Sequence, residues 1–283
     1  MSRRFRGHRA NSASVGQATY RVVIEYDGTD FCGFQFQPTL RTIAGELEKA
    51  LSGLFVMPIK VTCAGRTDSG VHASGQVISF VAHDSFPTEK LAIALNSSLP
   101  HDLSARDASR VDPSFSARFS AIERRYIYRA INRVSPSAVL RRFVHHEYRK
   151  IDDDRMRAAA AHLIGEHDFI SFCGVLPEKG GTVRDIREIA IVRNGERLEF
   201  HVRGLSFLHR MVRNIVGTLL DVGAGKNEPD EVIAMLAARD RRAAGATAPA
   251  NGLTLVNVLY PDWSSASPDA GLREASATRR PCD

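Results

Sequence analysis

A chain of 283 residues is long enough for one large domain or two of ordinary size. A hydrophobic fraction of 43% with 25% charged residues fits a globular protein. No apolar run approaches the roughly 18 residues of a membrane span, and the N-terminal MSRRFRGHRANSASVGQ has cations with no apolar stretch behind them, which excludes a secretory signal and leaves a cytoplasmic protein as the expectation.

In chain order, residues 1–18 are polar, basic and without periodicity, the pattern of a disordered tail. TYRVVIEYDG follows, with Tyr20, Val22, Ile24 and Tyr26 alternating as on a strand. Ile43, Leu47, Leu51 and Leu54 recur at helical spacing. A strand is expected around 59–64, then the glycine-rich AGRTDSGVHASG of residues 64–75, then the strand QVISFVA. Thr88 is the expected N-cap of a helix carrying Leu91 and Leu95 that stops before Pro100. A second block starts near Asp112-Pro113. RRYIYRAIN alternates, with Tyr126 and Tyr128 on one face, and residues 153–164 read as an alanine-rich helix. Strands at 183–192 and 197–203 are joined by the hairpin signal Asn194-Gly195. FLHRMVRNIVGTLLDVG, residues 207–223, reads as one helix. Its apolar seam is Leu208, Val212, Ile215, Leu219 and Val222. Its polar stripe is Arg210, Arg213, Asn214, Gly217 and Asp221, and Gly223 and Gly225 are candidate caps. A short helix, a strand at LTLVNVLY and a second disordered tail, 264–283, end the chain. Hairpin signals favour antiparallel pairing, so the expected class is α+β in two domains, 19–112 and 113–263, with a cleft between them.

Net charge is +6 and the pI near 9.3, with the excess mostly arginine. Eight arginines lie between Arg118 and Arg149 against Glu123 and Glu147 alone, which suggests a phosphate-facing surface. The four cysteines, Cys32, Cys63, Cys173 and Cys282, are far apart and read as reduced and structural. His145 and His146 are adjacent, and no histidine or cysteine pattern has metal-ligand spacing, so no metal is expected.

The 64–75 stretch is neither G-x-x-x-x-G-K-[ST] nor G-x-G-x-x-G, and it leads into a strand instead of a helix, which removes the usual anion site. Asp68 and Ser69 supply too few oxygens for a cation, and Ser69 lacks the G-x-S-x-G setting of a nucleophile. Two readings remain. In one, Asp68 is a catalytic carboxylate at the tip of a strand-to-strand excursion. Gly65 and Gly70 then let substrate approach, and Arg66 stands ready for a phosphate or for the space of a moved base. In the other, Asp-x-Gly is a solvated tight turn.

AGRTDSGVHASGQV resembles the signature of the tRNA pseudouridine synthase A family. Six further segments match in order: YDGTDFCGFQFQ at 26–37, NSSLPHDL at 96–103, FSARFSAIERRYIYRAI at 115–131, GEHDFISFC at 165–173, FLHRMVRNIVGTLLDVG at 207–223 and APANGLTLVNVLY at 248–260. They span about residues 20–262. The resemblance implies two α/β domains sharing a continuous antiparallel sheet, with helices on one side and a central basic cleft. It implies an isomerase that converts uridine to pseudouridine at positions 38, 39 and 40 of the tRNA anticodon stem–loop. It also implies a homodimer and no cofactor. By motif, Asp68 is the catalytic aspartate, Tyr126 the tyrosine beside the target base, Arg213 the arginine paired with the aspartate, and Arg66 the residue assisting base flipping. Three positions depart from the pattern: Ser69 for a usual alanine, Phe34 for a tryptophan, and Phe36 for a common arginine, which removes one RNA contact.

These residues suit that chemistry. Breaking C1′–N1 and joining C1′ to C5 needs a carboxylate that attacks C1′ or removes a neighbouring proton. The base must leave its stack, where Tyr126 can stack on it and later help take the C5 proton. Arg213 is expected to aim Asp68 through two parallel N–H···O bonds. Two other classes compete: a non-catalytic RNA-binding protein, with no need for Asp68, and a glycosidase-like hydrolase, needing a second carboxylate for which only Glu25 and Asp107 are near in sequence.

Overall fold

A computed structural model describes residues 16–266. Its elements are β1 (Gln17–Tyr26), α1 (Ile43–Phe55), β2 (Thr62–Cys63), β3 (His72–His83), α2 (Thr88–Asn96), β4 (Leu103–Val111), β5 (Glu123–Asn132), β6 (His145–Glu147), α3 (Asp153–Ala161), β7 (Gly165–Asp168), β8 (Val183–Asn194), β9 (Arg197–Gly204), α4 (Met211–Gly223), α5 (Glu231–Ala237), β10 (Leu253–Tyr260) and β11 (Trp263–Ser264). All strands join one sheet with the spine β4-β1-β3-β10-β5-β9-β8-β7. β2 adds to β3, β6 to β5 and β11 to β10.

The pairing is antiparallel except at β10–β3 and β5–β6. The β10–β3 exception is what makes the sheet continuous. β10 comes from the second block of sequence, yet it lies between β3 of the first block and β5 of the second. It runs antiparallel to β5 and parallel to β3. A bulge at Leu255–Asn257 opposite Arg125 and Tyr126 adjusts the strand at this junction.

Alternation decides the two faces. On β1, Tyr20, Val22, Ile24 and Tyr26 are buried; on β5, Arg124, Tyr126, Tyr128 and Ala130 are buried while Arg125, Ile127 and Arg129 are half-exposed. Helices cover the buried face. α1 forms because Ile43, Leu47 and Leu51 fall on one side and Thr42 caps it by accepting the Gly45 N–H at 3.2 Å. Its Phe55 packs on Tyr20 and Phe80 of the sheet. Leu47 and Leu51 are fully buried, each worth about 1.5–3 kcal/mol.

Several expected boundaries move. Pro87, not Thr88, is the N-cap of α2, and no side chain caps it. α3 stops at Ala161, and the expected strand at 59–64 shrinks to Thr62–Cys63. β4, β6 and β7 had no sequence reading. The helix expected at 207–223 begins at Met211, because Arg210 adopts left-handed φ 59°, a conformation that cannot continue a helix. Most of the expected tails, with Cys282, lies outside the described residues. Their inner ends are ordered parts of the sheet: Gln17 and Ala18 pair with His83 and Ala82, and Ser264 pairs with Leu259. The Ser265 hydroxyl is buried, accepting from the Val258 N–H at 2.8 Å and donating to the Gly75 carbonyl at 2.6 Å.

Candidate active site

Residues 64–71 form an excursion between β2 and β3 whose shape is fixed from several sides. Ala64 N–H donates to the Val77 carbonyl at 2.8 Å. Gln76, wholly buried, donates to the Gly65 carbonyl at 2.6 Å and accepts the Gly65 N–H at 3.3 Å. The Thr67 hydroxyl meets the Tyr26 hydroxyl at 2.8 Å. Val71 N–H closes the turn onto the Asp68 carbonyl at 3.2 Å, with Gly70 at φ 78° supplying the left-handed step.

The 28–36 segment cradles this turn from the other side. Phe34 N–H donates to the Thr67 carbonyl at 3.0 Å, and the Ser69 hydroxyl donates to the Phe31 carbonyl at 3.0 Å. A Cβ on Gly28 would stand 2.0 Å from the Val71 carbonyl oxygen, so only glycine permits the approach. The physical link between YDGTDFCGFQ and GRTDSG is therefore that the first is the wall of the second. Phe34 is a buried member of that wall, whereas Phe36 is exposed under the Lys60 ammonium at 4.7 Å.

Asp68 is brought to Arg213 across 145 residues of sequence. Arg213 Nη1 donates to Asp68 Oδ2 at 2.8 Å. The expected pair of parallel bonds does not form. Arg213 Nε donates instead to the Ala248 carbonyl at 2.8 Å, and Ala248 N–H returns a bond to the Arg213 carbonyl at 3.1 Å. The guanidinium spans the carboxylate and the 244–252 segment, so it fixes the distance between them.

The expected polar stripe of α4 is mostly interior. Asn214 is buried, donating to the Phe172 carbonyl at 2.7 Å and accepting from Thr247 and Arg241 at 2.6 and 3.1 Å. Asp221 pairs with Arg149 and Lys226 at 2.9 and 3.0 Å. Of that stripe, only Arg213 reaches Asp68.

His209 was missed in the sequence. Its Nε2 lies 3.6 Å from Asp68 Oδ1, on the oxygen that Arg213 leaves free. Gly174 makes room for it, since a Cβ there would stand 2.8 Å from His209 Nδ1, and Gly174 N–H donates to the His209 carbonyl at 2.8 Å. Helical spacing could not have found it, because His209 lies before the left-handed turn at Arg210 and outside α4.

Tyr126 is buried beside the turn, its ring edge-to-face with Phe207 at 5.3 Å. Its hydroxyl is close to Gly65, for a Cβ there would meet it at 3.3 Å. Burial pushes the phenol above its ordinary range; the Arg124 cation opposes this and the Asp68 carboxylate adds to it. The phenol stays protonated at neutral pH.

Arg66 is exposed, with no ion pair or hydrogen bond among the described residues. Arg118, Arg184 and Arg210 likewise have no carboxylate partner among the described residues. The charge of Arg118 bears on Cys63, next to the turn, that of Arg184 on Cys173, and Arg210 adjoins His209. The arginine-rich 118–149 segment is different from expectation. Arg125 pairs with Glu123 at 2.5 Å, Arg129 with Glu199 at 3.0 Å, Arg133 with Glu196 at 2.9 Å, Arg142 with Asp27 and Asp30 at 3.4 Å, and Arg149 with Glu147 at 2.7 Å. Glu123 and Glu147 take up two of the arginines locally, and carboxylates distant in sequence neutralise three more, Arg129, Arg133 and Arg142.

Glu25 and Asp107 do not join Asp68. They lie on strands β1 and β4, with Arg106 and Arg21 each at 3.9 Å. A cavity of about 650 Å³ near Glu25, His72, Asp102 and Glu199 also excludes Asp68, Tyr126 and Arg213. Among the described residues no cluster of three metal-binding side chains occurs, no helix is long and apolar enough to cross a membrane, and Cys32, Cys63 and Cys173 are free.

A family profile described as tRNA pseudouridine synthase matches residues 22–120 and 159–261. Curated proteins named tRNA pseudouridine synthase A are similar over most of their length. The chain is 47% identical to that of Halalkalibacterium halodurans over 81% of this chain and 88% of the relative. It is 46% identical to that of Bacillus subtilis over 85% and 98%, and 45% identical to that of Coxiella burnetii over 84% and 91%. Among solved structures, the archaeal box H/ACA sRNP Nop10–Cbf5 complex covers 71% of this chain and 44% of the solved chain at 13% identity and TM-score 0.31, too remote to add to these matches.

Proposed function

This chain belongs to the tRNA pseudouridine synthase family, and we propose that Asp68, Tyr126 and Arg213 carry the reaction of that family at the site just described. The enzyme is an isomerase that converts uridine to pseudouridine in tRNA. The observation that supports the site is the Asp68 carboxylate, held by Arg213 at 2.8 Å in a preformed turn beside the buried Tyr126.

The flipped uridine enters with C1′ toward Asp68. The carboxylate either attacks C1′, with the C1′–N1 electron pair leaving on the uracil, or removes the adjacent ribose proton to give a glycal. The freed base turns and C5 bonds to C1′; in the first route the Asp68 O–C1′ bond breaks as it does so, and in the second Asp68 returns the ribose proton. The C5 proton then departs and N1 takes up a proton, so the net change is an isomerisation within one nucleotide that needs no cofactor. Arg213 keeps the carboxylate aimed. Tyr126, as a neutral phenol, supports the base and passes a proton on only by giving up its own. Arg66 fills the space left in the stack.

The substrate region is the anticodon stem–loop at positions 38, 39 and 40, and the enzyme works in the cytoplasm as a homodimer. Val134, Val139 and Tyr148, highly exposed apolar residues on one segment, support a subunit contact. The test of function is incubation with uridine-labelled tRNA followed by nucleoside analysis. Pseudouridine at those positions is expected. Free uracil would mean a hydrolase, and unchanged uridine a binding protein. Light scattering checks the dimer.

Binding is expected to be strongly salt-dependent, through arginines that lack carboxylate partners. Arg66→Ala, Arg118→Ala, Arg184→Ala and Arg210→Ala should each flatten the slope of log affinity against log salt by about 0.7–0.9. Arg125→Ala and Arg129→Ala, which break internal ion pairs, should leave it unchanged. Titrations at four salt concentrations decide, and equal slopes for both sets would remove the distinction.

A further inference from the structure

Arg124 is a cation with no anion. Its side chain is buried, with only 7% of the residue exposed, and no carboxylate lies within ion-pair distance among the described residues. All five N–H donors are nevertheless used, each on a backbone carbonyl. Nε and Nη2 donate to Ala64 at 3.1 and 2.8 Å. Nη2 also donates to Arg118 at 2.5 Å. Nη1 donates to Ala121 at 3.3 Å and to Leu205 at 2.6 Å.

A buried guanidinium without a counter-ion is costly unless every donor is satisfied. Here four carbonyl dipoles from three separate parts of the chain satisfy it. Ala64 is the first residue of the turn that carries Asp68. Leu205 begins the stretch that leads through Phe207 and His209 into α4 and Arg213. Arg118 and Ala121 belong to the connection into β5. Arg124 also stands two residues before Tyr126 on the same buried face of β5.

We propose that Arg124 is a positioning residue for the reaction at Asp68, one rigid fork that holds the root of the Asp68 turn at a set distance from the root of the segment bearing His209 and Arg213. It touches no reacting atom. It acts by keeping Asp68, Arg213 and Tyr126, which arrive from three different segments, in one geometry. The proposal rests on Asp68 being the catalytic carboxylate.

The test is Arg124→Lys, with Arg124→Met as a second variant, in the full-length chain. Lysine keeps the charge, but its three donors radiate from a single nitrogen and cannot reach carbonyls spread around a planar fork. Single-turnover rate at saturating enzyme, tRNA affinity and thermal melting are measured separately. Arg124→Lys is expected to melt cooperatively and bind tRNA within a few-fold of the parent, while its chemical step slows by about a hundredfold, the loss that a misplacement near 1 Å produces. Arg124→Met should be slower still. The Arg124→Lys/Arg213→Lys pair should lose less than the product of the single losses, since both act through the placement of one carboxylate.

A parent-like rate in a folded Arg124→Lys overturns the proposal. So does failure of both variants to fold, which makes Arg124 a residue of the fold as a whole, and so does a loss confined to tRNA affinity. Asp68→Asn run in parallel separates the two readings. If it still turns over, the site assignment fails. If it is inactive and Arg124→Lys is normal, only the positioning role fails.

Discussion

Asp68→Asn is expected to lower pseudouridine formation by on the order of 10⁴- to 10⁶-fold, the range seen when a nucleophile or an essential partner of one is removed. The amide is nearly isosteric with the carboxylate and can still accept the 2.8 Å Arg213 Nη1 hydrogen bond. The turn should therefore hold its shape, because its supports are backbone groups and the side chains of Gln76, Tyr26 and Ser69. What the amide lacks is the negative charge needed at the ribose. Affinity for tRNA should stay within a few-fold or rise slightly, since phosphate contacts supply most of it and an anion has been removed. The check is a single-turnover assay beside a binding titration. Appreciable turnover by the Asn variant would remove Asp68 from the chemistry.

Arg213→Lys is expected to slow the chemical step by about a hundredfold with little change in tRNA affinity, and Arg213→Ala to be slower again. The reason differs from a two-pronged grip on the carboxylate. Arg213 reaches Asp68 through one nitrogen and the Ala248 carbonyl through another, both at 2.8 Å. A lysine ammonium has the charge but cannot sit at both ends of that span. Alanine goes further, leaving His209, at 3.6 Å, as the neighbouring cation-forming group beside Asp68 and the Ala248 carbonyl without this donor. A parent-like rate for Arg213→Lys would show that charge alone suffices. Loss of binding with an intact chemical rate would make Arg213 a phosphate contact.

Much of this molecule was legible along the chain. The alternation of Tyr20 through Tyr26 and the helical recurrence of Ile43, Leu47 and Leu51 announced β1 and α1, because burial of one face imposes its period on the sequence. Asn194-Gly195 announced the β8–β9 turn. The family match singled out Asp68, Tyr126 and Arg213, which the structure gathers in one place. Spacing alone favoured reading Asp-x-Gly as a solvated turn. β4 escaped because LSARDASRV buries only Leu103 and Ala105, so its pattern is too weak to read.

The sequence by itself determined which faces are apolar, where the chain turns and which family signature it carries, since these depend on neighbours a few residues apart. Tertiary structure alone decided the state of the charges. Arg125 and Arg124 are adjacent and identical in composition terms, yet one meets the buried carboxylate of Glu123 on the other face of β5 and the other is buried among carbonyls up to 81 residues away. Arg129 finds Glu199 across a strand pair, whereas Arg66, two residues from Asp68, finds no carboxylate among the described residues. Alternation tells which face a side chain takes but not what lies opposite it. Coulomb and hydrogen-bond energies depend on distances of a few ångströms, and for residues brought together by sheet pairing those distances are set only when the fold closes.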